Sequence, residues 1–130
     1  MDDTGPANRR KHPRARGDMS ASVMVLDAQG DGAHAGQQLE CHTKDISFQG
    51  ICLLSDIKIP PGSRLEVTLR NDMRSSVFVF EGVVIWSDFD AKFLVHETGV
   101  QFQDTDNIPA DWKMLVINLL TETFSRSTIV

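Results

Sequence analysis

Two short stretches carry side chains whose types and spacing suit chemistry. RKHPR, residues 10–14, places two arginines four apart with a proline just before the second. On a helix the two guanidinium groups would share a face, but Pro13 biases His12 to extended or polyproline geometry, so the segment is read as extended. A spacing of four then spans about 13 Å. Two planar, permanently charged forks at that separation can clasp different groups of one compact anion, and each can lie flat on an aromatic base. The second stretch is DISFQG, residues 45–50. Asp45 and Ser47 are separated by one residue, so on a strand both point to one face and Ile46 to the other. A carboxylate only accepts hydrogen bonds, and a hydroxyl beside it accepts or donates. Together they match a planar partner with adjacent donors, such as the N1–H and N2–H₂ edge of guanine. Gly50 lets the backbone turn sharply or a ligand come close. Plainer readings stay open: Asp and Ser often satisfy the amides of their own turn, and a charge cluster often only solvates a chain end.

These residues need a frame, and the rest of the chain predicts a small β structure. MDDTGPAN (residues 1–8) has no hydrophobic pattern and reads as a flexible leader. A basic arm over residues 9–18 follows. SASVMVLD (20–27) reads as a strand, AQGDGAHAG as a glycine-rich hairpin loop, and residues 38–46 alternate, with Leu39, Cys41 and Thr43 on one side. ICLLS (51–55) is short and apolar, IPPG (59–62) stops it, and RLEVTLR (64–70) alternates cleanly. NDMRSS is a hairpin connection, Val77 to Trp86 a long strand, SDFDA a turn, and FLVHETGVQFQ the last strand. That makes about six strands, and their short connections favour antiparallel neighbours. The period then changes: Trp112, Leu115, Val116 and Leu119 fall on one helical face, with Asp106 or Asn107 as the cap and Pro109 in the first turn. The expected fold is mainly β, a six-stranded antiparallel barrel over residues 20–103 with a C-terminal helix over 107–124. The single domain is placed at residues 9–124, with a tail at 125–130.

Charge narrows the partners. Five basic and two acidic residues give residues 1–16 a net charge of +3, which leaves −8 on residues 17–130 of a total of −5. An acidic body repels a long polyanion, so duplex DNA is a poor partner, while a small anion held by the arm is not excluded. The longest apolar stretch, Val77 to Trp86, is interrupted by Glu81 and Gly82 and falls short of the roughly 20 residues of a membrane-spanning helix. Cys41 and Cys52 lie in apolar segments with no signal peptide before them, which predicts reduced, buried thiols in a cytoplasmic protein. Cys41 and His42 are adjacent and face opposite ways on a strand, without a C-x₂-C or H-x₃-H pair, so no metal site is expected.

An RxxxR arm followed about thirty residues later by DxSxxG between two strands resembles the PilZ family, which binds the bacterial messenger cyclic di-GMP. GVVIW (82–86) and TGVQF (98–102) are similar to that family's last two barrel strands. The resemblance covers roughly residues 9–120. It implies a split-barrel fold in which Arg10 and Arg14 contact phosphate and guanine, Asp45 and Ser47 hold a guanine edge, and Gly50 keeps the turn close. Arg9 occupies a place similar to the family position that influences whether one ligand or a stacked pair is bound; three clustered arginines favour the pair. Gln49 stands where many relatives have a second glycine. The expected role is a stand-alone effector or adaptor with no cofactor, whose arm wraps the ligand and whose changed surface is read by a protein partner in motility, chemotaxis, polysaccharide export or surface attachment. Oligomeric state is open.

Readings from other classes are weighed against this one. Ser47 and Asp45 with one of His12, His34, His42 or His96 would make a hydrolase, but no Ser sits in a G-x-S-x-G elbow and the histidines are scattered. A barrel with a basic arm also suits single-stranded nucleic acid, against which stand the acidic body and the absence of Tyr. The nearest alternative is a PilZ-type adaptor that works without nucleotide.

Overall fold

The computed structural model describes residues 15–16, 19–71 and 76–129, with side chains for 19–71 and 76–121. Strands β2 (Ser20–Asp27), β3 (Gln38–Ile46), β4 (Gly50–Ser55), β5 (Arg64–Asn71), β6 (Ser76–Asp90) and β7 (Val95–Phe102) close into a six-stranded antiparallel barrel in the order β2, β3, β4, β7, β6, β5 and back to β2. A two-residue strand, β1 (Ala15–Arg16), adds to β3, and one helix, α1 (Ala110–Ile129), follows the barrel. The expected leader, most of the arm with Arg9, Arg10 and Arg14, and the centre of the β5–β6 connection lie outside the described residues.

Alternation builds the interior. Leu65, Val67 and Leu69 of β5 are fully buried against Val23 and Val25 of β2, Ile51 and Leu53 of β4, Val84 of β6 and Val100 of β7. Their outward neighbours Arg64, Glu66 and Arg70 are exposed, so every second side chain leaves water. α1 completes the core. Trp112 is fully buried and meets Phe78, Phe80 and Phe102 edge-on, at centroid distances of 5.1, 5.1 and 5.7 Å. Leu115 and Val116 are buried with it, and Leu119 is partly buried against the core, so the expected stripe docks on the barrel.

Four boundaries differ from expectation, three of them for a local reason. The helix begins at Ala110 rather than near residue 107 and continues past 124. Thr105–Asn107 forms a single 3₁₀ turn in which the Asn107 amide donates to the Asp104 carboxylate at 3.2 and 3.1 Å. Ile108, before Pro109, is held extended at φ −67°, ψ 127°, as pre-proline residues prefer. The first helical bond is therefore Lys113 N–H to Pro109 O, at 3.2 Å. Likewise SDFDA is mostly strand, since Ser87–Asp90 pair with Thr98–Val95. Asp90 shapes the turn from the strand's last position, its carboxylate accepting the N–H groups of Lys92 (2.9 Å) and Phe93 (3.2 Å). Phe93 and Leu94, expected in the last strand, fall in this turn, with Leu94 at φ 55°.

Both cysteines are buried, and neither forms a disulfide. Burial, with Glu40 and Asp56 adding to it, pushes the Cys41 thiol up to about 12. The unfolded chain ionises this thiol near its ordinary 9 while the native chain keeps its proton, so stability conferred by the protonated thiol falls as pH rises from about 9 to 12. A thiol-specific chromogenic reagent at pH 8 is expected to leave Cys41 untouched in native protein and to modify it only in denaturant. Fast native modification of Cys41 would show that its strand opens.

Candidate ligand-binding site

The DISFQG segment forms the end of β3, a tight turn and the first residue of β4. Ser47 closes the turn twice on one carbonyl: its N–H donates to Gly50 O at 2.9 Å and its hydroxyl donates to the same oxygen at 3.2 Å. The plain turn-satisfying role is thus present, and it uses the hydroxyl's proton while leaving its lone pairs as acceptors. Two further bonds anchor the turn. Phe102 N–H donates to Gln49 O at 2.8 Å, and Trp112 Nε1–H donates to Ser47 O at 2.9 Å. Gln49 needs no positive φ, so a second glycine is not required there. Gly50 is different: a Cβ would stand 2.5 Å from Val100 O. Gly50→Ala must push β4 away from β7, and we expect a loss of about 1–3 kcal/mol in chemical denaturation. Unchanged stability would show that the strands yield freely.

Two β-bulges decide which way the polar residues face. Between Thr43 and Asp45 the β3–β4 register shifts by one, which makes Lys44 the extra residue. Thr43, Leu53, Ile46 and Ile51 are buried, and Ile46, Ile51 and Leu53 belong to the barrel core, whereas Asp45 pairs with Cys52 on the outer face. A second shift between Val84 and Trp86 does the same in β6. Register therefore lines up Asp45, Cys52, Gly99 and Trp86 in one row across four strands. Neither Cys52 nor Trp86 belongs to the barrel core, yet Asp45, Cys52 and Trp86 are buried. Gly99 carries no side chain because the Trp86 indole occupies the space its Cβ would take. Beside this row the Lys44 ammonium donates to both carboxylate oxygens of the nearly buried Glu97, at 3.1 Å each.

β1 brings the arm to this row. Its register sets Ala15 opposite Ile46 and Arg16 opposite Asp45. The link to β2 is secured at Met19, which donates its N–H to Thr43 Oγ1 at 2.9 Å and accepts from Thr43 N–H at 3.0 Å. α1 also lies against β1. The structure thus gathers Asp45, Ser47 and Gly50 of the predicted set. Arg9, Arg10 and Arg14 are outside the described residues, Arg14 by one peptide bond from Ala15. Sequence reasoning misses three participants. It treats Trp86 and Trp112 only as apolar strand and helix residues, and Arg16 only as one charge of the arm. Neither the two-residue β1 that carries Arg16 nor the bulge behind Trp86 has a signal in the sequence.

The model of the PilZ domain matches residues 8–120 of the chain. The chain belongs to the PilZ family. None of the curated proteins matches the sequence. Among solved structures, the Bacillus subtilis inhibitor of motility, MotI/DgrA, superposes with a TM-score of 0.65 at 15% identity, covering 90% of this PilZ chain and 52% of that one. The PilZ domain of YcgR from Escherichia coli, solved with c-di-GMP, gives 0.60 at 16% identity, covering 94% and 99%. PlzA of Borreliella burgdorferi, in complex with c-di-GMP, gives 0.58 at 20% identity, covering 86% and 41%. The present PilZ chain therefore spans about half the length of the MotI and PlzA chains. At these identities the likeness is one of fold, a closed barrel with a C-terminal helix. Among the described residues no helix is long and apolar enough to cross a membrane, and no group of three or more His, Cys, Asp or Glu could hold a metal ion.

Proposed function

We propose that this PilZ domain is a receptor for cyclic di-GMP, which it clasps between the RxxxR arm and the outer face of the β3–β4 turn. The observation that carries the reading is the β1–β3 register: the chain one bond after Arg14 runs directly beside Ile46 and Asp45. Arg10 and Arg14 would engage phosphate and guanine, Asp45 and the lone pairs of Ser47 a guanine edge, and Gly50 would keep the turn tight. Arg9 would favour a stacked pair of ligands. The YcgR and PlzA structures, solved with this ligand on the same fold, support the reading.

Catalysis fits poorly. A nucleophilic serine gives its proton to a base, whereas Ser47 donates to a backbone carbonyl. The signal instead has a way out. Ser47 O is bound by Trp112 of α1, so a ligand that presses on the turn also bears on the helix, and a partner protein that reads α1 would sense occupancy. Relatives such as an inhibitor of motility suggest motility as a first process to assay.

Titration calorimetry with cyclic di-GMP, with GTP as control, tests this. Saturable heat from cyclic di-GMP at two molecules per chain, and none from GTP, is expected. One molecule per chain would remove the stacked pair and keep the site. Absence of binding would overturn the receptor reading in favour of a nucleotide-independent adaptor.

A further inference from the structure

β6 is longer than one of its neighbours can cover. On one side β5 pairs with Ser76–Val83. On the other, β7 pairs only from Gly82 onward, and the last bond is Gln103 N–H to Glu81 O at 2.9 Å, before the 3₁₀ turn carries the chain away. Because Glu81 O faces β7, alternation points the N–H and C=O groups of Val79 and Val77 to that same side. The phase is confirmed at Val84, which exchanges bonds with Ser63 and Gly62 on the β5 side. Among the described residues no backbone hydrogen bond reaches the β7-side edge of Val77 or Val79.

Such an edge is a template for another strand, and proteins usually blunt it with lysine, proline or a bulge. Here its outward side chains are Val77 and Val79, 58% and 61% exposed. Where β7 would have continued, a cavity of about 360 Å³ opens, walled by Val79, Phe80, Phe102 and Pro109 and bordered by the acidic residues Glu81 and Asp104. Glu81 also stands directly opposite Glu66 on β5. A facing pair of like charges is unfavourable, and Arg64, 3.5 Å from Glu81, relieves it only from the side. Apolar edge and acidic pocket are thus contiguous, and among the described residues no strand covers the edge and no lysine or arginine lines the pocket.

We propose that this edge is a β-augmentation site for an extended, basic segment of a partner protein. The segment would run in the line of β7, antiparallel to β6. Its backbone would pair with Val77 and Val79, its outward apolar side chains would pack beside theirs, and a lysine or arginine at its start would enter the cavity between Glu81 and Asp104. Charge decides against the same edge of a second copy, which would bring Glu81 and Asp104 to the same acids. The inference does not depend on the nucleotide reading.

The test is an amide-resolved NMR titration of the whole chain with the peptide acetyl-Lys-Arg-Val-Thr-Val-Thr-amide, against acetyl-Glu-Glu-Val-Thr-Val-Thr-amide. Shifts at Val77–Glu81 and Gln103–Asn107, slowed hydrogen exchange at the Val77 and Val79 amides, and at least tenfold weaker binding of the acidic peptide are expected. Val79→Pro removes an edge donor without touching the β5–β6 bonds and should weaken the basic peptide at least tenfold; Val79→Lys serves if the proline variant unfolds. Equal response to both peptides, no shifts along this edge, or sedimentation showing a dimer that protects it would overturn the proposal.

Discussion

The Arg10→Ala/Arg14→Ala double variant is expected to bind cyclic di-GMP about 10²–10⁴ times more weakly than the parent chain while unfolding at the same temperature. Each charge-assisted hydrogen bond removed costs about 1.5–3 kcal/mol, and two such bonds made to well-separated groups of one ligand sum to about 3–6. Arg14→Ala alone should cost at least tenfold. Stability should hold, because among the described residues the barrel core begins only at Met19. Lysine at both positions should recover only part of the loss, since an ammonium supplies charge without the planar fork. Calorimetric affinity beside a thermal melt checks all of this. Parental affinity in the folded double variant would remove the arginine clasp and leave Asp45 and Ser47 as residues of an ordinary turn.

The largest effect on stability is expected at Trp112. Trp112→Ala would empty the space between Phe78, Phe80 and Phe102 and leave Ser47 O without its indole donor. Large aromatic truncations in a core cost about 3–5 kcal/mol, which for a domain of this size lowers the melting temperature by roughly 10–20 °C. Trp112→Phe separates the two contributions. It keeps most of the ring packing but deletes the donor, so about 1–3 kcal/mol should be lost. If Ser47 O is the link between turn and helix, ligand-induced changes along α1 should fade in Trp112→Phe while changes in the turn persist. A phenylalanine variant that melts with the parent and still relays the change would show that the indole bond neither holds nor couples the turn.

Much of the frame is legible because a strand of one-sided burial writes its period into the sequence. In β3, Leu39, Cys41 and Thr43 are buried and Gln38, Glu40, His42 and Lys44 exposed, as alternation predicts. The same holds for β5 and for the stripe of α1. What alternation does not contain is an inserted residue. Lys44 and Ile85 continue the local pattern, yet each is a bulge that flips everything after it. Without them, Asp45 would face the core and Trp86 could not lie in the same outer row. β1 is two residues long, too short for any period, and is defined only by its partner β3. The bond from Trp112 to Ser47 joins residues 65 apart and depends on how α1 crosses the barrel mouth. The helix start escapes prediction because Asp104 and Asn107 bond each other in a 3₁₀ turn, and no single capping residue announces that pairing.

The most direct test of the site is a map of where cyclic di-GMP lands on the folded chain. With the nucleotide at saturation, the amides of Asp45–Gly50 and of Ala15 and Arg16 should shift in NMR spectra, together with the indole N–H signals of Trp86 and Trp112, and contacts from guanine protons should reach Asp45 and Ser47. Shifts confined to the far side of the barrel, or spectra unchanged at saturating nucleotide, would contradict binding at the β3–β4 turn.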